Sequence, residues 1–427
     1  MLIILFLTIA ILFIIGMPIA FALGLGSLFA LFADPNTPLV LIPQRMFVAL
    51  DSWPLMAIPL FMLAGVLMDR GGISQKIVDF SSACLGFIRG SLGMITVAAS
   101  MVFAGISGSS TADTAAVGSI LLPAMKKKGY DMGFATALQA AAGAIGPIIP
   151  PSILMIILGY VTDTSIARLF LGGIVPGLMI GVSLMIIAFV HGMRGGKAYL
   201  SPEKFHMKEV LKTGRAALPG LGLPFIIVFG ILSGIFTATE AAVVAVVYGL
   251  VVGIFVYRKI SIRDLPQIFI RAAEISCIVM FIASTAFLFA WLITVKQLPI
   301  VLGNYLQEHI AGKILFLVLL NIILLVIGMF MESFSAIIVF MPILFPIAKG
   351  FGIDPIHFGI IASVNLAIGY ITPPYGATLF VSCSLSGESI RKVTPKLWPI
   401  ILAMIFVLLI VTYIPETFMW IPNMMMD

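Results

Sequence analysis

Apolar positions in this chain come in unbroken runs, near 3–32, 52–68, 133–160, 171–191, 217–233, 239–257, 275–295, 356–383 and 398–415. About 20 apolar residues are enough for a helix to span roughly 30 Å of hydrocarbon. Membrane-spanning strands would instead alternate polar and apolar residues. The pattern therefore predicts an all-α polytopic membrane protein. The run at 3–32 has no basic leader and no small-residue cleavage site, and it exceeds the apolar length of a signal peptide. It reads as one retained helix that crosses once.

Two further apolar stretches, 87–124 and 313–346, are interrupted. Each has two arms shorter than a full span, joined at GISGSSTAD (105–113) or GMFMESFSA (328–336). Such paired arms read as re-entrant hairpins, because irregular backbone at membrane depth survives only where protein or a water-filled cavity covers it. A long run carrying a break follows each hairpin: GAIGPIIPPS (143–152) and IGYITPPYGA (368–377). Proline removes a backbone donor, clashes with the preceding turn and pushes the residue before it out of the α region. Each run should therefore split into two half-helices, leaving carbonyls for which a bound cation is one possible partner.

The two interrupted regions are copies of one another. Residues 105–168 fall on residues 328–391 at a constant offset of 223, without a gap and with 15 of 64 positions identical. The shared residues include Gly105/Gly328, Ser110/Ser333, Pro123/Pro346, Lys126/Lys349, Gly129/Gly352, Asp131/Asp354, Gly146/Gly369, Pro150/Pro373, Pro151/Pro374 and Arg168/Arg391. A duplicated, broken hydrophobic segment points to a transport site near the midplane. A single connecting span at 217–233 separates the copies, so the second copy, beginning near residue 239, should be inverted. Before that span, residues 193–215 carry Phe205, Val210 and Leu211 among basic residues and read as an amphipathic segment on the cytoplasmic membrane surface.

Composition agrees: 61% of the residues are hydrophobic and 10% charged, against roughly 25% charged in soluble domains. The net charge of +6 reflects topology rather than nucleic-acid binding, because basic residues mark the cytoplasmic side. With a cytoplasmic amino terminus and non-crossing hairpins, 19 basic residues lie inside and 5 outside. The five are Arg45, Arg168, Lys296, Lys313 and Lys349; the carboxyl terminus falls in the periplasm. Cys84, Cys277 and Cys383 are scattered in apolar sequence and suggest neither disulfide nor metal. The four histidines form no metal motif, and without a Walker-type loop the chain cannot itself power transport with ATP.

Chemistry concentrates at the tips. Ser107, Gly108, Ser109, Ser110 and Thr111 gather hydroxyls and bare backbone opposite Gly143, Gly146 and Pro147. A second set comprises Gly328, Glu332, Ser333 and Ser335 opposite Gly369, Thr372 and Pro373. Oxygen ligands of this kind suit hard cations. Half-helix amino termini aimed inward favour an anionic substrate. Asp113 and Glu332 are acids at membrane depth, where ionisable groups are costly and usually functional. Each has a direct ion or proton role as one reading, and for Asp113 helix capping is the other.

With these motifs, the chain resembles the large membrane subunit (DctM-type) of tripartite ATP-independent periplasmic transporters over essentially its whole length. The resemblance implies an elevator-type fold of the ion-transporter superfamily with two inverted repeats, each holding a re-entrant hairpin and a broken helix. Its division would be 1–85 scaffold, 86–165 and 313–388 transport domain, 166–312 scaffold with connector, and 389–427 a final scaffold helix. The implied function is sodium-coupled uptake of an organic acid, such as a C4-dicarboxylate or sialic acid, at a bacterial inner membrane. Implied sodium residues are Ser107, Ser109, Ser110, Gly143, Gly146, Gly328, Glu332, Ser333, Gly369 and Thr372. Implied substrate residues are Gly108, Thr111, Asp113, Pro150, Ser152, Ser335 and Pro374. Sodium serves as coupling ion, with no other cofactor. The implied partners are a small four-helix membrane subunit (DctQ-type), separate because this chain begins directly with the large one, and a periplasmic substrate-binding protein (DctP-type). A self-sufficient sodium-coupled dicarboxylate or citrate carrier of similar fold is the alternative. A channel would show a selectivity ring, and a hydrolase would need a nucleophile with its base or metal.

Overall fold

The apolar runs fold as helices whose ends fall where proline, glycine and capping residues put them. The structure, a computed structural model, describes residues 1–34, 37–196, 199–200, 205–310 and 312–426, and every regular element in them is helical. In chain order the first repeat contains α1 (Leu2–Ile14), α2 (Ile19–Phe32), α3 (Leu41–Leu50), α4 (Trp53–Arg70), α5 (Ile73–Leu85), α6 (Ser91–Ser107), α7 (Ser110–Lys127), α8 (Met132–Gly143), α9 (Ile153–Thr162) and α10 (Ile166–Arg194). The rest comprises α11 (Met207–Leu232), α12 (Ala238–Val251), α13 (Leu265–Val295), α14 (Leu298–His309), α15 (Gly312–Phe330), α16 (Ser333–Gly350), α17 (Pro355–Gly369), α18 (Ala377–Ser386), α19 (Ile390–Tyr413) and α20 (Glu416–Met426). Among the described residues, 8 helices are long and apolar enough to cross a membrane.

The 223-residue echo is structural. α7 and α16 start and end at positions one offset apart, and α8 and α17 begin one offset apart at Met132 and Pro355. The same shift lays α3 and α4 together on the single long helix α13. Several duplicated residues have visible jobs. Asp131 accepts from the Gly133 and Phe134 amides and Asp354 from those of Ile356 and His357, so each caps the broken helix of its repeat. Gly129 and Gly352 take φ of +77° and +70° in the turn before that cap, a conformation glycine adopts without penalty. Both Pro-Pro bonds, Pro150–Pro151 and Pro373–Pro374, are cis.

Both hairpins return to the side from which they enter. At the base of the first, Tyr199 O accepts from Gly90 N at 2.8 Å and Tyr199 Oη from Asp131 N at 3.1 Å. At the base of the second, Phe316 stacks on Phe351 at 4.3 Å and Lys313 Nζ donates to Gly352 O. The arms are not all short, however: α7 has 18 residues, and α15 and α16 of the second hairpin have 19 and 18, which match a crossing helix in length. What makes them a hairpin is the turn at Met331 and Glu332, not arm length.

Two other expectations are corrected. Residues 3–32 are not one helix: Gly16, with φ of +85°, and Pro18 break the run. α2 folds back on α1, with Gly26 against Leu5 and Ile9. Residues 193–215 are not one surface segment either, since α10 runs to Arg194 and α11 already begins at Met207. Lys197 and Lys204, counted among the inside charges, lie outside the described residues.

Packing sorts the helices into two groups. α1–α5 pack with α11–α13, chiefly α4 on α12 and α13 on α2, α3 and α4, while α5 also lies on α6 and α14 packs chiefly on α16. α6–α10 pack with α15–α20, with α10 against α6 and α17 and α19 against α8 and α17. α10 and α19, expected in the scaffold, pack on the broken helices rather than on the first group.

The α1–α2 hairpin puts Met1 on the same face as Asp34, whose Oδ2 lies 3.1 Å from Lys296 Nζ. A tag at Met1 and a cysteine replacing the exposed Gln297 should then be labelled from one side by a membrane-impermeant reagent. Labelling from opposite sides would contradict the hairpin.

Candidate functional site

The first tip sits directly on the first break. α6 stops at Ser107 because Gly108 turns into the left-handed region, at φ of +59°. A Cβ on Gly108 would stand 2.8 Å from Pro151 O and 3.2 Å from Ile153 N, so both the turn and the close approach require glycine. Asp113, in the first turn of α7, is fully buried. Ser107 Oγ donates to its Oδ1, while Oδ2 has no partner. A Cβ on Gly146 would come within 2.5 Å of that Oδ2 and 3.2 Å of Ser110 N. Ser110 Oγ is likewise buried without a partner. A buried carboxylate oxygen without a partner is expensive, and together with a hydroxyl and bare backbone it makes an oxygen set that suits a hard cation.

The second tip is built differently. A Cβ on Gly369 would overlap the backbone of Gly328, so break and tip touch glycine to glycine. Buried Tyr370 accepts from Ser333 N at 3.1 Å through its hydroxyl, which in turn donates to Glu332 Oε1 at 3.4 Å. Ser333 Oγ and Ser335 Oγ are buried and unpartnered, while Thr372 Oγ1 donates back to Ile368 O at 2.7 Å. The difference has a steric origin. In the first repeat α8 packs closely on the second arm: a Cβ on Gly143 would overlap Thr114, and one on Gly118 would stand 3.1 Å from Gln139. Leu366 and Met341 occupy the matching positions in the second repeat, and there the broken helix packs mainly on the first arm, α15.

Not every freed carbonyl awaits an ion. Ser152 Oγ donates to Pro147 O at 2.6 Å, and Thr378 Oγ1 to Tyr370 O at 2.9 Å. Pro147 O thus already accepts one hydrogen bond. Ser152 also caps α9 through Met155 N.

A cavity of about 500 Å³ separates the first tip from α4 and α13. Ser107, Ser109 and Thr111 form one wall and Asp69, Arg70 and Arg271 part of the other. Of the expected substrate residues only Thr111 faces it. Gly108 is in the tip seat, and Asp113 is sealed against Gly146 with the expected ion residues. Pro150 borders a separate apolar groove with Pro224 and Phe225. Ser335 is buried, and Pro374 is exposed elsewhere.

The sequence reading missed several buried polar residues. Gln139 Nε2 donates to Thr114 O at 3.3 Å and its Oε1 is unpartnered. Asn365 Nδ2 reaches Asn321 Oδ1 at 2.8 Å and Asn321 Nδ2 reaches Thr412 Oγ1 at 3.1 Å, joining α15, α17 and α19. Lone amides inside apolar runs were the available signal. Because Ala98 and Ala142 stand at the matching positions of Asn321 and Asn365, a comparison of the repeats passed over them.

Residues 6–417 match the family described as the tripartite ATP-independent periplasmic transporter, DctM component. The chain is 40% identical over 403 residues to the C4-dicarboxylate TRAP transporter large permease protein DctM of Pseudomonas aeruginosa, covering 94% of each. It is 34% identical over 409 residues to the sialic acid TRAP transporter large permease protein SiaM of Vibrio cholerae, covering 96% of this chain and 95% of that one. Against the isethionate TRAP transporter permease protein DctMQ of Oleidesulfovibrio alaskensis it is 40% identical over 407 residues, 95% of this chain but 64% of the relative's length. Among solved structures, the YdaH transporter of Alcanivorax borkumensis shares the fold, with a TM-score of 0.58 at 14% identity over 88% of this chain and 87% of that one. With its helical bundle, paired hairpins and broken helices, the chain belongs to the DctM family, the large permease components of tripartite ATP-independent periplasmic transporters.

Proposed function

We propose that this permease takes up a small organic acid across the bacterial inner membrane together with sodium ions, by an elevator movement of its hairpin-bearing helices. The observation that carries the reading is the buried Asp113 oxygen, without a partner, beside Gly146 and Ser110. Ionised, it opposes any movement of the tip through a low-dielectric region until a cation neutralises it, which ties movement to ion binding. We therefore assign Asp113 to the first sodium site with Ser107, Ser110 and Gly146. The second site takes Gly328, Glu332, Ser333, Ser335 and Gly369, with Thr372 nearby. The substrate meets the tip at Ser109 and Thr111. Relatives named for C4-dicarboxylates, sialic acid and isethionate support an anionic cargo.

The moving group is α6–α10 with α15–α20, and the fixed group α1–α5 with α11–α14. The basic ends of α4, α10 and α19 face the cytoplasm. Lys296 and the amino terminus then face the periplasm, which reverses the expectation for that terminus. The family's tripartite description supports a small membrane subunit and a periplasmic binding protein as partners.

Ser110→Ala and Thr372→Ala should each raise the sodium concentration for half-maximal uptake in vesicles; an unchanged sodium dependence would remove these residues from the ion sites. Asp113→Asn should raise it by roughly tenfold or more, the effect of about 1.4 kcal/mol of lost binding. Gly146→Ala, whose methyl group displaces the carboxylate, should impair uptake similarly while the protein still reaches the membrane. Uptake should also require the cognate binding protein. Undiminished uptake by vesicles without it would favour a self-sufficient carrier.

A further inference from the structure

The first tip does not enclose its cavity alone. The facing wall is supplied by α4 and α13, which bring Arg70 and Arg271 to the space holding Ser109 and Thr111. The same two arginines border a smaller pocket of about 190 Å³ with Lys259. The acids nearby are engaged. Asp69 accepts from Ser74 at 3.0 Å, Asp264 accepts from Ser261 N at 2.8 Å, and Glu274 pairs with Arg271 at 3.2 Å. Among the described residues Arg70 has no carboxylate partner.

Basic residues at the inner ends of crossing helices also anchor topology. That role requires them only to face the headgroups, whereas both arginines line the cavity that reaches the tip. The repeat supplies a second argument. Arg45 on α3 maps by the 223-residue offset onto Ile268 of α13, three residues before Arg271, and residues three apart share a helix face. Arg45 lies toward the opposite membrane face, its guanidinium 4.9 Å above the Trp291 ring. Each copy thus carries an arginine on the same stretch of its fixed helices. A topology anchor does not explain Arg45, which stands on the face poor in basic residues.

We propose that Arg70 and Arg271 form a carboxylate-receiving site on the fixed wall, to which an anion leaving the first tip transfers on its way to the cytoplasm. The proposal rests on the reading of the chain as an organic-acid carrier. A guanidinium fork matches a carboxylate in planar, bidentate fashion. Glu274 holds Arg271 when the site is empty and yields to the arriving anion. Since the arginines sit on helices that carry neither tip, the site works without sodium.

The test uses the full-length chain in lipid nanodiscs, with succinate as the probe, followed by saturation-transfer NMR in choline buffer free of sodium. Weak succinate binding is expected in the wild type, weakened roughly three- to tenfold by Arg70→Gln or Arg271→Gln, as befits exposed charge pairs. Lys76→Gln, the same change of charge outside the cavity, should leave it intact. If the glutamine variants do not fold, Arg70→Lys should still weaken binding, because an ammonium cannot make the bidentate contact. No binding in choline, or equal binding by wild type and arginine variants, would overturn the proposal. Adding sodium should reveal a second, sodium-dependent component at the tip. Its absence, with arginine-dependent binding intact, would count against sodium coupling alone.

Discussion

The structure depends on keeping interrupted helices satisfied at membrane depth. Every break frees backbone groups that lipid cannot bond, so each broken helix must be covered by something that reaches its middle. Here that cover is a hairpin tip, and glycine permits the contact: Gly108 lies on Pro151 and Ile153, and Gly328 on Gly369. Local hydroxyls take the remaining burden, with Ser152 on the Pro147 carbonyl and Thr378 on that of Tyr370. Once those bonds are made, the Asp113 oxygen facing Gly146 is left over in the first seat. That oxygen is the remainder of a problem otherwise solved internally.

The two seats share an ancestry in sequence but not a geometry. Gly143 and Gly118 let α8 close on α7, bringing the break to the acid on the second arm. Leu366 and Met341 occupy the matching positions and prevent the same approach, so Gly369 meets the first arm instead. Glu332 and Tyr370 then form a hydroxyl–carboxyl contact that has no counterpart across the repeat, where Ser109 and Pro147 stand. One seat holds an acid deep in the protein and the other holds one at its rim.

Much of this was legible in the chain. The offset of 223 residues, the two hairpins, the broken helices and the inversion all follow from proline, glycine and charge placement. The meeting of Ser107, Ser110 and Gly146 in one seat was legible for the same reason. What escaped depended on distances between elements remote in sequence. Nothing local to residues 3–32 says that the chain folds back there rather than kinks, because Gly16 and Pro18 permit both. Asp113 could be placed on its helix turn but not on its side of the tip. α10 and α19 look like any other crossing helix, and only packing places them against the broken helices. Arg70 and Arg271 lie 201 positions apart and read as topology charges until a cavity joins them.

The most direct test of the central claim, that the first seat is a cation site built around an otherwise unpaired acid, is thermal unfolding of the purified full-length chain in detergent, in sodium against choline. Sodium should raise the midpoint of the wild type, because a ligand that binds only the folded state stabilises it. Asp113→Asn should start from a higher midpoint in choline and lose a large part of the rise in sodium. Equal midpoints for the wild type in the two salts, or a full sodium response in Asp113→Asn, would contradict the account.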